Sequence, residues 1–178
     1  MSDRWSAMGT VLWMVAISTV GVPAAHAGEN RIQATAPLQA RARVFVTGPR
    51  HAFMLGAFGG RLVVEKEPKT LDGADLLCPA AVDADYAANT QRGEGRCILT
   101  TRGGDRLFAS WTCAGEPDKG CAGRFVLTGG TGAFQGVTGE GDLALRISSV
   151  ELLGLDRQES EYDLTGTALW PGLTYRTP

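Results

Sequence analysis

The sequence lacks most of the residue sets that enzymes and metal sites use. It has only two histidines, no G-x-S-x-G around a serine, no Gly-Lys-Ser/Thr phosphate loop and no C-x2-C pair. These absences argue against a serine hydrolase, a P-loop nucleotide-binding protein and a structural zinc site. His51 is the single histidine outside the N-terminal leader described below, and we interpret it as a turn residue beside Pro49. We therefore expect neither a metal nor a cofactor.

Basic residues are also few, and they are scattered. Lysine and arginine number 17 against 19 acidic residues, and no basic stripe carries the interleaved aromatic side chains typical of a nucleic-acid surface. No apolar run reaches the roughly 20 residues that a comfortable membrane-spanning helix needs. We expect no nucleic-acid partner.

The first 27 residues have the three parts of a secretory signal peptide. Arg4 stands in a short polar start, Ala7–Val22 is an apolar run, and Ala24–Ala27 supplies small residues before a cleavage position. We predict a signal peptide over 1–27, with an uncleaved anchor as the alternative. The expected location is the periplasm or the cell exterior, with no membrane span after cleavage.

Four cysteines follow the leader, at positions that exclude close metal-binding pairs. An even number of cysteines in an exported protein predicts disulfides. Cys113 and Cys121 flank AGEPDKG, a loop rich in turn residues between two strand-like runs, so its ends can approach closely. We therefore pair Cys113 with Cys121, which leaves Cys78 for Cys97.

Alternating apolar residues bounded by glycines recur through the chain and predict an all-β fold. In CILTTRGGDRLFASWTC, Gly103–Gly104 form a two-residue turn between two period-two runs, as in a hairpin. About eight such strands imply a sandwich or a closed barrel, and the many glycines favour strong curvature. Residues 28–40 lack a pattern and are predicted to be a flexible N-terminal arm. Residues 41–178 are then one β-domain.

The glycine-rich stretch RFVLTGGTGAFQGVTGEGDL has two possible interpretations. A dinucleotide-binding loop needs G-x-G-x-x-G followed by a helix, but here the third glycine comes one place late and an alternating strand follows. We therefore predict a connection between two strands. Its structural glycines are Gly129, Gly130, Gly132 and Gly136, with positive φ expected at Gly130 and Gly132 and with Phe134 tucked beneath.

The same stretch resembles the GGTG-x-[FY]-x-G-[VI]-x-G turn of the allene oxide cyclase and dirigent barrel superfamily. It is most similar to the exported bacterial members, and the resemblance is strongest over Gly95–Leu145. It implies a single antiparallel eight-stranded barrel with an apolar cavity, often assembled as a homotrimer. Plant relatives hold a reactive intermediate in this cavity and steer its cyclisation or coupling without a cofactor. The exported bacterial members have no settled activity, and we carry over no catalytic position.

Seven aromatic residues are candidates to line a ligand cavity or, equally, to fill the barrel. They are Phe53, Phe58, Phe108, Trp111, Phe125, Phe134 and Trp170. The carboxylates Asp72, Asp75, Asp83 and Asp85 do not match a calcium loop, and we interpret them as a solvated loop near Cys78. Asp105 is interpreted as a turn residue.

Three functions stay open at this point. The leading hypothesis is an exported, cofactor-free barrel that binds a small apolar ligand or a surface partner. The alternatives are an isomerase or cyclase acting by confinement, and a structural or interaction protein with a filled barrel. A cavity below about 100 Å³ would favour the last, because ligand pockets run to some 300 Å³ or more.

Overall fold

A computed structural model describes residues 29–66, 68–149 and 159–177. The predicted signal peptide, 1–27, lies outside the described residues. The described residues form nine strands and two short 3₁₀ turns, at Lys69–Leu71 and Gly132–Phe134. The strands are β1 (Glu29–Gly48), β2 (His51–Arg61), β3 (Val63–Val64), β4 (Asp75–Asp85), β5 (Thr90–Thr100), β6 (Arg106–Glu116), β7 (Gly120–Gly130), β8 (Thr138–Ser149) and β9 (Glu159–Arg176).

Eight of these strands form a closed antiparallel barrel. Pairing runs β2–β4–β5–β6–β7–β8–β9–β1, and β1 also pairs with β2, which closes the ring. The two-residue strand β3 pairs with Ala34 and Thr35 of β1. The predicted fold, a single all-β barrel of eight antiparallel strands, is confirmed.

The predicted flexible arm is wrong, because residues 29–40 form the first half of β1. This half pairs with β9 from Glu29↔Arg176 onwards. Its inward-facing residues alternate along the strand, but several are alanines, so the alternation is weak in hydrophobicity even though Ala34 and Ala36 are almost fully buried. Because these side chains are small, hydrophobicity did not reveal this part of β1 in the sequence. The barrel nevertheless needs β1 in order to close.

The two ends of the barrel differ. At the end where β1 begins, the two 3₁₀ turns each contribute a buried side chain, Leu71 and Phe134, and the Phe134 ring lies 6.5 Å from that of Tyr175. We call this the closed end. At the opposite end the strands are joined by the β1–β2, β4–β5 and β6–β7 turns, and a cavity opens between them. We call this opening the mouth.

Both predicted disulfides are present, and no cysteine is free. Cys78 and Cys97 join the adjacent strands β4 and β5, with their Cα atoms 4.1 Å apart. Cys113 and Cys121 join β6 and β7 across the hairpin, with Cα atoms 5.5 Å apart. Each bridge links neighbouring strands from the inner face, and disulfides are typical of proteins from oxidising compartments.

The glycine-rich stretch is a strand connection, as predicted. β7 ends at Gly130, Gly132–Phe134 makes a 3₁₀ turn, and β8 begins at Thr138. Gly132 and Gly136 have φ of +56° and +74°, whereas Gly130 does not have a positive φ, so that detail was wrong. Gly130 is required for a different reason: a Cβ there would lie 2.5 Å from the Phe134 carbonyl oxygen and 2.7 Å from that of Arg106.

Asp105 anchors this connection to the β5–β6 hairpin. Its carboxylate accepts a hydrogen bond from the Ala133 backbone N–H at 3.1 Å. The Thr131 hydroxyl accepts one from the Arg106 N–H, and the Thr131 N–H donates to the Arg106 carbonyl. Because Gly132 has no side chain, the Asp105 carboxylate fits against the turn; a Cβ at that position would overlap it. The motif therefore holds two hairpin ends together.

Candidate functional site

Four of the seven aromatic candidates fill the centre of the barrel. Phe58, Trp111, Phe125 and Trp170 are all buried, and the Phe125 and Trp170 rings meet edge to face with centroids 5.4 Å apart. The space left between them is about 20 Å³. That is room for about one water molecule, well short of a ligand.

Small residues on one wall make room for these rings. Gly56, Ala80 and Gly95 are cross-strand neighbours on β2, β4 and β5, and Gly95 in turn pairs with Trp111. A Cβ on Gly95 would lie 2.6 Å from the Trp111 Nε1 and 2.7 Å from the Pro79 carbonyl oxygen. The Trp111 ring therefore occupies the volume that side chains on β5 would otherwise fill.

The other three candidates do not line the barrel centre. Phe134 is buried at the closed end, against Tyr175. Phe53 and Phe108 alternate with the buried residues of β2 and β6 and so lie on the outer face, where Phe108 is 37% exposed. For these two the prediction of a cavity position was wrong, because aromatic character alone does not tell which face of a strand a residue occupies.

The mouth is a cavity of ligand size, with a volume of about 470 Å³. Grooves of 450 to 500 Å³ also lie elsewhere on the barrel, but the candidate site is the mouth because inner-face side chains line it. Its wall is formed by aliphatic side chains from the inner faces of four strands and by one disulfide sulfur. These residues are Val44 on β1, Ala52 and Met54 on β2, Val82 and Ala84 on β4, Leu145 and Ile147 on β8, and Cys121 on β7. Leu145 also borders the filled centre, so the aromatic layer is the floor of the mouth.

Polar groups line the mouth near the turns. Arg50 donates from Nη2 to the Tyr86 carbonyl at 2.8 Å, which ties the β1–β2 turn to the β4–β5 turn. Asn89 donates to the Glu116 carboxylate at 2.9 Å, and Gln91 donates to the Glu116 carbonyl at 3.0 Å. These bonds connect the three turns around one side of the opening.

Two further polar side chains of the mouth are not held in this way. In the part of the chain that the structure describes, neither the Tyr86 hydroxyl nor the Asp118 carboxylate makes a hydrogen bond or an ion pair. Burial raises the pKa of Tyr86 above its usual value of 10.0. The phenol is therefore neutral at physiological pH and can donate a hydrogen bond to a molecule in the cavity.

Backbone strain is also concentrated here. Among the described residues, Arg50 and Asn89 alone combine a side chain with a left-handed backbone, at φ +59° and +54°. Both belong to turns of the mouth and both line its cavity. Asparagine tolerates this conformation, but arginine does so rarely.

Comparison with known proteins gives one similar solved structure. No family model and no curated protein matches the chain. The structure of a pterocarpan synthase dirigent protein aligns over 94% of this chain and 100% of its own, at 11% identity and a TM-score of 0.39.

The charged candidates take part in ion pairs and turn hydrogen bonds of the described strands. His51 begins β2, and its Nε2 lies 2.9 Å from an Asp83 oxygen on the outer face. Asp75 pairs with Arg61 at 2.8 Å near the closed end, and Asp85 lies ten residues further along β4. The interpretation of this segment as a solvated loop was wrong, because Asp75–Asp85 is a barrel strand.

Within the described ranges, no group of three or more His, Cys, Asp or Glu residues is arranged to hold a metal ion. The same residues contain no helix of sufficient length and hydrophobicity to cross a bilayer. Asp72 accepts a hydrogen bond from the Val64 backbone N–H at 2.9 Å, and Asp85 accepts from the N–H groups of Ala87 and Ala88 at 2.8 and 2.9 Å. These carboxylates stabilise turns.

The aliphatic wall of the mouth gives little signal in the sequence. Val44, Ala52, Val82 and Ala84 are small, common residues of alternating strands. The available signal was the turn chemistry, Gly-Pro-Arg and Glu-Pro-Asp, since both turns place charged side chains at one end of a barrel.

Proposed function

We propose that this protein is an exported, cofactor-free barrel that binds a small apolar molecule in its mouth. One observation carries the proposal: an open cavity of about 470 Å³ with an aliphatic wall lies directly above a filled aromatic layer. Ligand pockets typically occupy 300–1,000 Å³ and combine apolar walls with a few polar groups. The mouth meets both criteria, and the 20 Å³ centre meets neither.

Export is supported by the leader and by the cysteines. Residues 1–27 have a signal-peptide pattern, and all four cysteines are paired. Disulfides form and persist chiefly in oxidising compartments such as the periplasm or the cell exterior.

The proposal is tested by native mass spectrometry of the protein purified from its own compartment. We expect a mass above that of the oxidised polypeptide, with the difference identifying the class of retained molecule. The variant Ala84→Phe should abolish retention, because Ala84 faces the cavity and a phenyl ring would fill it. Ala57→Phe is the matched control, since Ala57 is exposed on the outer face of β2. Equal retention by both variants, or none by the wild type, would contradict the proposal.

A second candidate function is an isomerase or cyclase that confines a reactive intermediate in the same mouth. Tyr86 favours it, because this half-buried phenol is a proton donor with no protein partner in the described chain. Tyr86→Phe should then abolish turnover of a bound substrate while leaving its retention intact. Loss of retention without a change in turnover per bound molecule would instead give Tyr86 a binding role.

A third candidate, an interaction protein with a filled barrel, is favoured by two observations. The barrel centre leaves only about 20 Å³, well below the size of a ligand pocket, and an apolar row lies on the outer face near the closed end. Leu77, Ile98 and Phe108 are direct cross-strand neighbours on β4, β5 and β6 and are 49%, 37% and 37% exposed. Exposed apolar rows of this kind mark association surfaces. We propose self-association, with a homotrimer as the expected state. Phe108→Glu should convert the assembly to monomers in the same mass spectra, and an unchanged assembly would exclude this row as the interface.

A further inference from the structure

We infer that Arg50 is the recognition group of the mouth, and that the bound molecule carries a carboxylate or another small anionic group on an apolar body. The inference rests on the proposed function, since it assigns one end of the molecule that the mouth binds. It follows from the position of Arg50, from its backbone conformation and from the charges around it.

The guanidinium of Arg50 has donors to spare. It lines the cavity from the β1–β2 turn, and one hydrogen bond, to the Tyr86 carbonyl, fixes its direction across the opening. A guanidinium has five N–H donors in a planar fork that matches a carboxylate or a phosphate. In the described part of the chain, its other N–H groups make no hydrogen bond. The Arg50 side chain is therefore oriented by one hydrogen bond and keeps N–H donors for a bound molecule.

The backbone indicates that the arginine is present for its side chain. At φ +59° glycine is favoured, because it has no Cβ to meet the neighbouring carbonyl. The mouth keeps an arginine at this position in spite of that preference. Strain of this kind is frequent where a side chain has a functional task.

The surrounding charges define where the anionic group would bind. Asp85 interacts electrostatically with Arg50, and its carboxylate already accepts two backbone hydrogen bonds in the β4–β5 turn. Asp118, the acidic residue of the described cavity lining, belongs to the β6–β7 turn on the opposite side of the ring of strands. An anionic group would therefore be drawn to the Arg50 side and repelled from the Asp118 side.

The test compares octanoate with 1-octanol, which share an apolar chain and differ in charge, by isothermal titration calorimetry on the full-length oxidised protein. Octanoate should bind about fivefold more tightly, as expected for one ion pair in contact with solvent, and the preference should shrink as salt is added. Octyl phosphate, measured alongside, distinguishes a carboxylate site from a phosphate site by which anion binds more tightly.

Arg50→Gly should erase the preference for octanoate over octanol, and glycine should accept the turn conformation. Arg50→Lys, which keeps the charge and loses the fork, should retain part of the preference and serves if the glycine variant does not fold. The matched control is Arg106→Gln, which removes the same charge from an exposed side chain at the closed end and should keep the full preference.

The outcomes separate this inference from the proposed function. If octanol and octanoate bind equally, or if Arg50→Gly keeps the preference, the mouth binds apolar molecules but Arg50 is not its recognition group. If neither compound binds, the proposed function fails, and this inference fails with it.

Discussion

The connection between β7 and β8 allows a quantitative test of the structure through Gly132→Ala. Gly132 has a left-handed backbone at φ +56°, where a residue with a Cβ costs about 1 kcal/mol relative to glycine. The new Cβ would also overlap the Asp105 carboxylate. Asp105 must then swing away and give up its hydrogen bond to the Ala133 N–H, which contributes about another 1 kcal/mol. We expect a total loss of about 2 kcal/mol.

Urea unfolding of the oxidised protein, followed by linear extrapolation, measures this loss. Thermal unfolding should show a decrease of about 4–8 °C, from the usual 2–4 °C per kcal/mol in a chain of this size. Gly103→Ala is the control, because it lies in the hairpin next to Asp105 without a positive φ, and its Cβ would meet no atom closer than 3.8 Å. Its effect should be within about 0.5 kcal/mol.

A double-mutant cycle separates the two contributions. With Asp105→Ala already in place, Gly132→Ala should cost only the backbone term of about 1 kcal/mol, so the two changes should be non-additive by a similar amount. Full additivity would show that Asp105 does not depend on the space that Gly132 leaves. A Gly132→Ala protein as stable as the wild type would refute the left-handed assignment itself.

Three further predictions follow from the barrel. A thiol assay on the denatured, unreduced protein should detect no free thiol, and two or four thiols would contradict the disulfide pairing. Gly95→Ala should destabilise folding by about 1–3 kcal/mol through overpacking against Trp111, and stability equal to that of the wild type in urea would contradict the tight contact. The backbone N–H groups of Ala88 and Ala87 lower the pKa of Asp85 below 3.8. Asp85→Asn should therefore be less stable than the wild type at neutral pH. The unfolding curves of the two proteins should converge as the pH falls through and below 3.8, because the wild-type carboxylate is then protonated. A difference in stability that does not change with pH would argue against a stabilising role for the charge.

The features that the sequence predicted best are those with local chemistry. The β5–β6 hairpin and the short Cys113–Cys121 loop join segments close in the chain, so turn residues and spacing were enough to predict them. The predicted two-residue turn at Gly103–Gly104 was wrong in length, because the connection runs from Thr101 to Asp105. The eight-stranded antiparallel barrel was predicted from the resemblance of the glycine-rich turn, because strand number and glycine content alone left a sandwich or a barrel open.

The features that the sequence did not predict depend on closure of the barrel. Ala34 and Ala36 carry no strong hydrophobic signal in the sequence. They are buried because β1 turns them toward the barrel interior. Phe53 and Phe108 look like core residues, yet the register of β2 and β6 turns them outward. The mouth forms where the β1–β2, β4–β5 and β6–β7 turns come together. These turns are far apart in the chain, so no local sequence pattern predicts that they lie side by side.

The pairing of the first described strand with the last has a consequence for the order of folding. Glu29 and Arg176 are 147 positions apart and are joined by an ion pair, and β1 pairs with β9 along nearly its whole length. Such distant contacts form slowly, because the entropy of closing the intervening chain is lost before they are made. The ring cannot close while a chain emerging N-terminus first still lacks β9. Until β9 has been synthesised, the edge of β1 that pairs with it stays exposed and the barrel has an open seam.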